Sequence, residues 1–176
     1  IGLASEWMDG ILPTGNMKLD ELWDFVIEAT GVSMDGLHGP RHWARVERNG
    51  RFLAAENGGN PDVVSLFALF HDCKRVNDHI DPGHGARGAE YARSLRDHIP
   101  LISEEDFERL CEACEGHTDI THHEDPTIQA CWDADRLDLP RVGKRPKSRY
   151  LNTSLAKKLA DTNTLDILKE QFVRSL

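Results

Sequence analysis

No apolar stretch in this 176-residue sequence approaches the roughly 20 residues needed to cross a bilayer. The longest, Val63 to Phe70, reads VVSLFALF, so a membrane-spanning segment is not expected. Basic charge is also short. There are 21 Lys and Arg against 30 Asp and Glu, a formal net charge of −9. That balance argues against general nucleic-acid binding and against docking on an acidic membrane, because both recruit basic surfaces. It leaves room for a small phosphorylated substrate held by a local cationic patch, and it says nothing about oligomeric state.

Cysteine is scarce. Cys73, Cys111, Cys114 and Cys131 lie within apolar helical patterns rather than in loops, the placement expected of reduced, buried thiols in a cytoplasmic protein. Ile1 to Ile11 contains Glu6 and Asp9 and lacks a basic run, so it is not expected to act as a signal peptide. Repeats, low-complexity tracts and Ser/Pro linkers are absent, and no segment sustains the period-2 alternation of half-buried strands. A chain this long buries about 70% of its unfolded surface, enough to fold without disulfides. We expect residues 1–35 to form an N-terminal helical appendage and residues 36–176 one domain.

What is present is a series of helix signals. Leu19, Leu22, Trp23, Val26 and Ala29 form one stripe that stops at Gly31. Pro40 suits a first helical position, and the segment from there to Asn57 places His42, Val46 and Leu53 on one side, with Asn49-Gly50 a candidate break. Asn60-Pro61-Asp62 combines a cap, a proline and a first-turn acid ahead of VVSLFALF, which predicts a buried central helix ending in His71-Asp72. A Gly/Pro turn over Asp81 to Gly85 precedes a small-residue helix carrying His84, Gly88, Ala92 and Leu95. Ser103 to Asp106 resembles a capping box. It opens a stripe of Phe107, Leu110, Cys111 and Cys114 that ends at His117. Asp125-Pro126 opens the next helix, with Ile128, Cys131, Trp132, Asp135 and Leu139 aligned. Amphipathic stretches over roughly 153–160 and 165–173 close the chain. The predicted class is all-α.

The anomaly is ionisable groups at apolar positions. Asp135 points where Cys131, Trp132 and Leu139 point. A buried, unpartnered carboxylate costs several kcal/mol or is forced neutral. His117 and the His71-Asp72 pair end apolar stripes in the same way. One inward histidine is ordinary; several acids and histidines from different helices are resolved together by a shared cation. Imidazole and carboxylate without thiolate suit Mn, Fe, Zn, Ni or Mg. Cys111-x-x-Cys114-x-x-His117 is not read as a zinc site: residues i and i+6 of one helix are about 9 Å apart.

The order His42 (in HGPRHWARV), His71-Asp72 (in ALFHDCKR) and Asp135 (in WDADRLDL) resembles the HD superfamily of metal-dependent phosphohydrolases over about residues 38 to 140. The resemblance implies an HD-domain helical bundle with a metal site between central helices. It also implies that His42, His71, Asp72 and Asp135 ligate a first metal. Members with two ions add histidines between the HD pair and the last aspartate, where this chain has His84 and His117. These two are then ligands of a second ion, or residues that orient the first site or touch substrate. His38 is a further candidate, because the HG…HW opening lets either histidine face the site.

Arg75 stands where several branches of the family carry an acid or lysine. Four residues from His71, it would share that residue's helical face. It is either a phosphate contact, catalytic together with Asp72, or a partner of Asp78 or Asp81. After Leu139 comes PRVGKRPKSRY, five cations and no acid. Its Arg141, Lys144 and Arg145 are read as phosphate contacts near the metal mouth, against the alternative of a solvated loop. A nucleic-acid patch is disfavoured by the lack of interleaved aromatics. The implied activity is hydrolysis of a phosphoester of a nucleotide or small phosphometabolite, using one or two divalent ions. The alternatives are an HD-type di-iron oxygenase and a non-catalytic module that binds a nucleotide or metabolite.

Overall fold

The computed structural model describes residues 15–100 and 102–176. The opening segment discussed above for its lack of a signal sequence lies outside them. Among the described residues the secondary structure is entirely helical, as the periodicity predicts, and no helix is long and apolar enough to cross a membrane.

Local signals set the helix boundaries. Helix α1, Leu19–Thr30, ends at Gly31 with φ 61°, the left-handed cap that glycine adopts without a Cβ penalty. Helix α2, Pro40–Asn57, starts with its proline at the first position. Helix α3, Pro61–Phe70, is capped by Asn60, whose side chain accepts from the Asp62 N–H at 2.9 Å. Helices α4, His84–Ser94, and α5, Glu104–Gly116, follow, α5 capped by Ser103 accepting from the Asp106 N–H. Helix α6, Pro126–Arg136, begins at Asp125, which accepts from the N–H groups of Thr127 and Ile128. Helix α7, Ser154–Thr162, is capped by Thr153. The segment Leu165–Glu170 forms a 3-10 helix rather than the expected α-helix.

Helix α3 is the hub. Eight of its ten residues, Val63 through Phe70, are buried, and it is packed by α2, α5, α6 and α4. Helix α2 also packs along α6, and α4 along α5. Trp23 of α1 meets Trp43 of α2 edge-on, ring centroids 6.4 Å apart.

The break expected at Asn49-Gly50 does not occur; α2 runs through both residues. A Cβ at position 50 would collide with the Val64 side chain and lie 3.2 Å from the Ala134 Cβ. The glycine is therefore a contact point at which α2 approaches α3 and α6, and tertiary packing outweighs its poor helix propensity. The result is that α2, α3 and α6 converge near the residues that carry the chemistry.

A candidate metal centre around Asp72

Helix α3 stops at Phe70, and His71 is its cap residue. The chain leaves the helix there, so Asp72 turns back into the bundle beneath α2 and α6. Four imidazoles from four helices surround it: His42 from α2, His71 from the end of α3, His84 from the start of α4 and His117 from the end of α5. All four, and Asp72, are buried.

Each ring is held at Nδ1 by a group that can only accept a hydrogen bond. His71 donates to the Ala68 carbonyl at 3.0 Å, His84 to the Asp81 carbonyl at 2.7 Å and His117 to the Cys114 carbonyl at 2.7 Å. His42 donates to the Asp138 carboxylate at 2.7 Å. With Nδ1 protonated, each neutral ring presents its Nε2 lone pair. Those lone pairs converge. His42 Nε2 is 3.3 Å from His71 Nε2 and 3.2 Å from Asp135 Oδ1, and both rings stand 3.6 Å from Asp72 Oδ2. On the other side, His84 Nε2 is 3.0 Å from His117 Nε2 and 3.1 Å from Asp72 Oδ1, with His117 Nε2 at 3.7 Å from the same oxygen.

Two sets of electron pairs thus face each other across the two oxygens of one carboxylate. Asp72 Oδ1 is buried without a hydrogen-bond partner, a costly condition for a carboxylate oxygen. The donor atoms of His42, His71 and Asp135 lie within 4.8 Å of one another, as do those of Asp72, His84 and His117, and those of His38, His42 and Asp72. This donor set can bind a metal, and its imidazole–carboxylate chemistry fits a divalent ion of the Mn, Fe, Zn, Ni or Mg type.

The electrostatics demand positive charge at the same place. For His42, burial disfavours the imidazolium, yet hydrogen bonds to Asp135 and Asp138 outweigh it and raise the pKa above 6.5. His117 rises likewise, burial being overcome by Asp72 and Asp135. His71 goes the other way: burial drives it down to about 3. Burial also opposes ionisation of Asp72, but His71, His117, His38 and His84 hold it well below the usual carboxylate range. Asp135 is held low by His42 and His71 against the same opposition. A proton on His42 or His117 occupies the position that a metal ion would take.

The cluster lies at the floor of a cleft of about 590 Å³, into which Asp72 and Asp135 face while His42 and His71 stand behind them. His38 lines this cleft; its Nδ1 is 2.8 Å from Asp72 Oδ2, and the Trp43 indole N–H donates to its carbonyl at 2.6 Å. Arg75 also lines the cleft, although the reason given for it from the sequence fails: the helix has already ended, so no shared helical face exists. Its guanidinium reaches back to lie 3.6 Å from Asp72 Oδ1 and 3.1 Å from His84 Nε2, and donates to the carbonyls of Asn77 and His79. Asp81 is taken by Arg87 instead.

The basic segment divides. Arg141 lines the cleft, donating to the carbonyls of Leu37 and Asp138. Lys144 and Arg145, expected beside it, line a separate cavity. The chain reverses at Gly143, φ 72°, and carries them to the other side of Leu139. Asp138 was missed altogether by reading the sequence. It accepts from His42 and takes Arg45 in a two-pronged grip, Nε to Oδ1 at 2.8 Å and Nη2 to Oδ2 at 3.0 Å. Its spacing of three residues from Asp135 was the available signal.

Neither family models nor curated proteins give a match to the sequence. Among solved structures, the chain is similar to the crystal structure of a predicted HD superfamily hydrolase from an uncultured Thermotogales bacterium. The TM-score is 0.65 and the identity 26%, over 96% of this chain and 95% of that one. The fold is shared along nearly the chain's whole length, and His42, His71-Asp72 and Asp135 are gathered in one place, which supports membership of the HD-domain superfamily.

Proposed function

We propose that the protein is a metal-dependent hydrolase acting on a phosphoester of a nucleotide or small phosphometabolite. The observation that carries this reading is the unpartnered Oδ1 of Asp72, facing two imidazole lone pairs while Oδ2 faces two more. His42, His71, Asp135 and Asp72 Oδ2 would hold one ion, and Asp72 Oδ1, His84 and His117 a second. When bound, divalent ions supply Lewis acidity toward a phosphoryl oxygen and lower the pKa of water.

The chain's own residues provide orientation and charge. The Nδ1 hydrogen bonds lock the ring tautomers and keep Nε2 directed at Asp72. Arg75 and Arg141, on the cleft wall, offer fixed cations that attract an anionic substrate and stabilise charge developing on its oxygens. They favour a phosphoester over a neutral substrate.

The test is release of phosphate or nucleotide by the metal-loaded protein across phosphomonoesters, nucleotides and cyclic dinucleotides. Activity is expected to vanish in Asp72→Ala and His71→Ala. A folded, metal-loaded protein inert on the whole panel would refute the reading. Asp72 between two histidine pairs also suits a di-iron oxygenase, for which iron content and a mixed-valence EPR signal are the discriminating measurements. Recovery of an intact nucleotide or metabolite after incubation with metal would instead favour a non-catalytic binding module.

A further inference from the structure

A second cavity, of about 350 Å³, adjoins the cleft. Arg136 and Leu139 line both. Beyond that shared wall the second cavity is lined mainly by apolar surface from Leu139, Pro146, Tyr150, Leu151 and the side-chain stems of Lys144, Arg145 and Lys147, and no acid lines it.

In a chain of net charge −9, an apolar hollow with three cations and no acid around it is an electrostatic exception. Arg145 is engaged, donating to Asn163 Oδ1 at 2.7 Å. Lys144 and Lys147 are exposed, and among the described residues neither ammonium group pairs with a carboxylate. An anion at the rim of this cavity would meet charges that no carboxylate there neutralises.

The wall between the two cavities is stiff. The Arg136 guanidinium donates to the carbonyls of Thr121 and Ile120 at 2.6 Å, of Tyr150 at 2.9 Å and of His117 at 3.4 Å. It therefore ties together the segment after His117, the far end of the basic segment and, through the backbone, its neighbour Asp135. Arg136 and the apolar Leu139 thus stand between cluster and cavity.

We propose that the cationic rim of this cavity is a second-phosphate subsite, with the apolar interior facing the middle of the substrate. The substrate is then elongated, with the scissile phosphoester over Asp72 and Asp135, an apolar midsection across Leu139, and a distal phosphate held by Lys144 and Lys147. The proposal rests on the hydrolase reading for the first phosphate only; the second subsite binds whether or not the first is cleaved.

The test uses α,ω-alkanediol bisphosphates, from propane to octane, beside alkyl monophosphates of equal length, with wild-type and K144Q/K147Q proteins loaded with metal. Calorimetric binding and kcat/KM are both read. One bisphosphate length is expected to bind about tenfold or more tightly than its monophosphate, since charge-assisted contacts carry at least that factor. In K144Q/K147Q the gap should close. If bisphosphates bind tighter without turnover and the gap closes in the variant, the subsite stands and the hydrolase reading falls. Equal affinity of the two series in wild type, or a gap of the same size in K144Q/K147Q, overturns the subsite whatever the turnover.

Discussion

Asp138 accepts the Nδ1 hydrogen of His42 at 2.7 Å while both its oxygens are gripped by Arg45. Burial opposes its ionisation, but His42 and Arg45 hold its pKa below the usual range. Asp138 thus stays anionic, fixes the His42 tautomer and makes Nε2 a better electron-pair donor.

Removal of that charge should weaken the metal. In Asp138→Asn we expect affinity for a divalent ion to fall by about 10- to 100-fold, the usual cost of losing a carboxylate behind a ligating histidine, with the helical circular-dichroism signal retained. Equilibrium dialysis against a chelating indicator measures it. Unchanged affinity would mean that Asp138 serves only to anchor Arg45.

Ion count should follow the two halves of the cluster. Elemental analysis is expected to find two ions per chain in the wild type, one in His117→Ala, and fewer still in Asp72→Ala, where both sets lose the shared carboxylate. One ion in wild type, undiminished by His84→Ala or His117→Ala, would confine the site to the His42 side.

Chelation should destabilise the fold. A ligand that binds only the native state and is present at 100 times its Kd adds about 2.7 kcal/mol. Stripping the metal is therefore expected to lower the denaturant midpoint, and Asp72→Ala to unfold at the same midpoint with or without the ion. A chelator that leaves the wild-type midpoint unmoved would contradict a metal bound at this depth.

Acid should release the ion early. His42 and His117 have raised pKa values, so in the absence of metal their Nε2 atoms begin to take up protons above pH 6.5, and each proton must leave before metal binds. Apparent affinity is expected to decline as pH falls through that raised range. His71, driven down to about 3, adds no competition near neutrality. The measurement is the metal Kd at successive pH values; a Kd flat from about pH 8 down to about pH 5 would show that neither ring is a ligand.

The helix starts were legible because their causes are local. Asn60, Ser103 and Asp125 cap helices that begin within two residues of them. The inward-facing acid was legible too, because Asp135 repeats a helical period with Cys131 and Trp132, although it is only partly buried and faces the cleft. Features that depend on the path of a loop were not. Arg75 was placed on a helix that ends five residues before it. Lys144 and Arg145 were assigned to the metal mouth because the reversal at Gly143 is invisible to periodicity. Asp138 and His42 are 96 residues apart, and no local pattern announces that pairing. Gly50 looked like a break because propensity records the missing side chain and not the neighbouring helices that require it.

A similar close approach gives one more prediction. A Cβ at Gly85 would run into the Cys114 carbonyl oxygen and lie 3.0 Å from the His117 ring. Gly85→Ala should therefore push α4 away from α5, costing about 1–3 kcal/mol as overpacking does, and should loosen the ion held by His84 and His117. Chemical denaturation and ion counting report the two effects. A variant as stable as wild type with both ions in place would show that the interface yields freely.

Three of the four converging rings hand their Nδ1 hydrogen to main-chain oxygens, those of Ala68, Asp81 and Cys114. Such oxygens belong to every amino acid, so no exchange of residue at those three positions can delete them. Only the fourth ring leans on something a codon change can erase. The electronic character of this centre is therefore open to direct adjustment by heredity at residue 138, while two of the other orientations persist for as long as α3 and α5 do, and the third for as long as the turn before α4 keeps its shape.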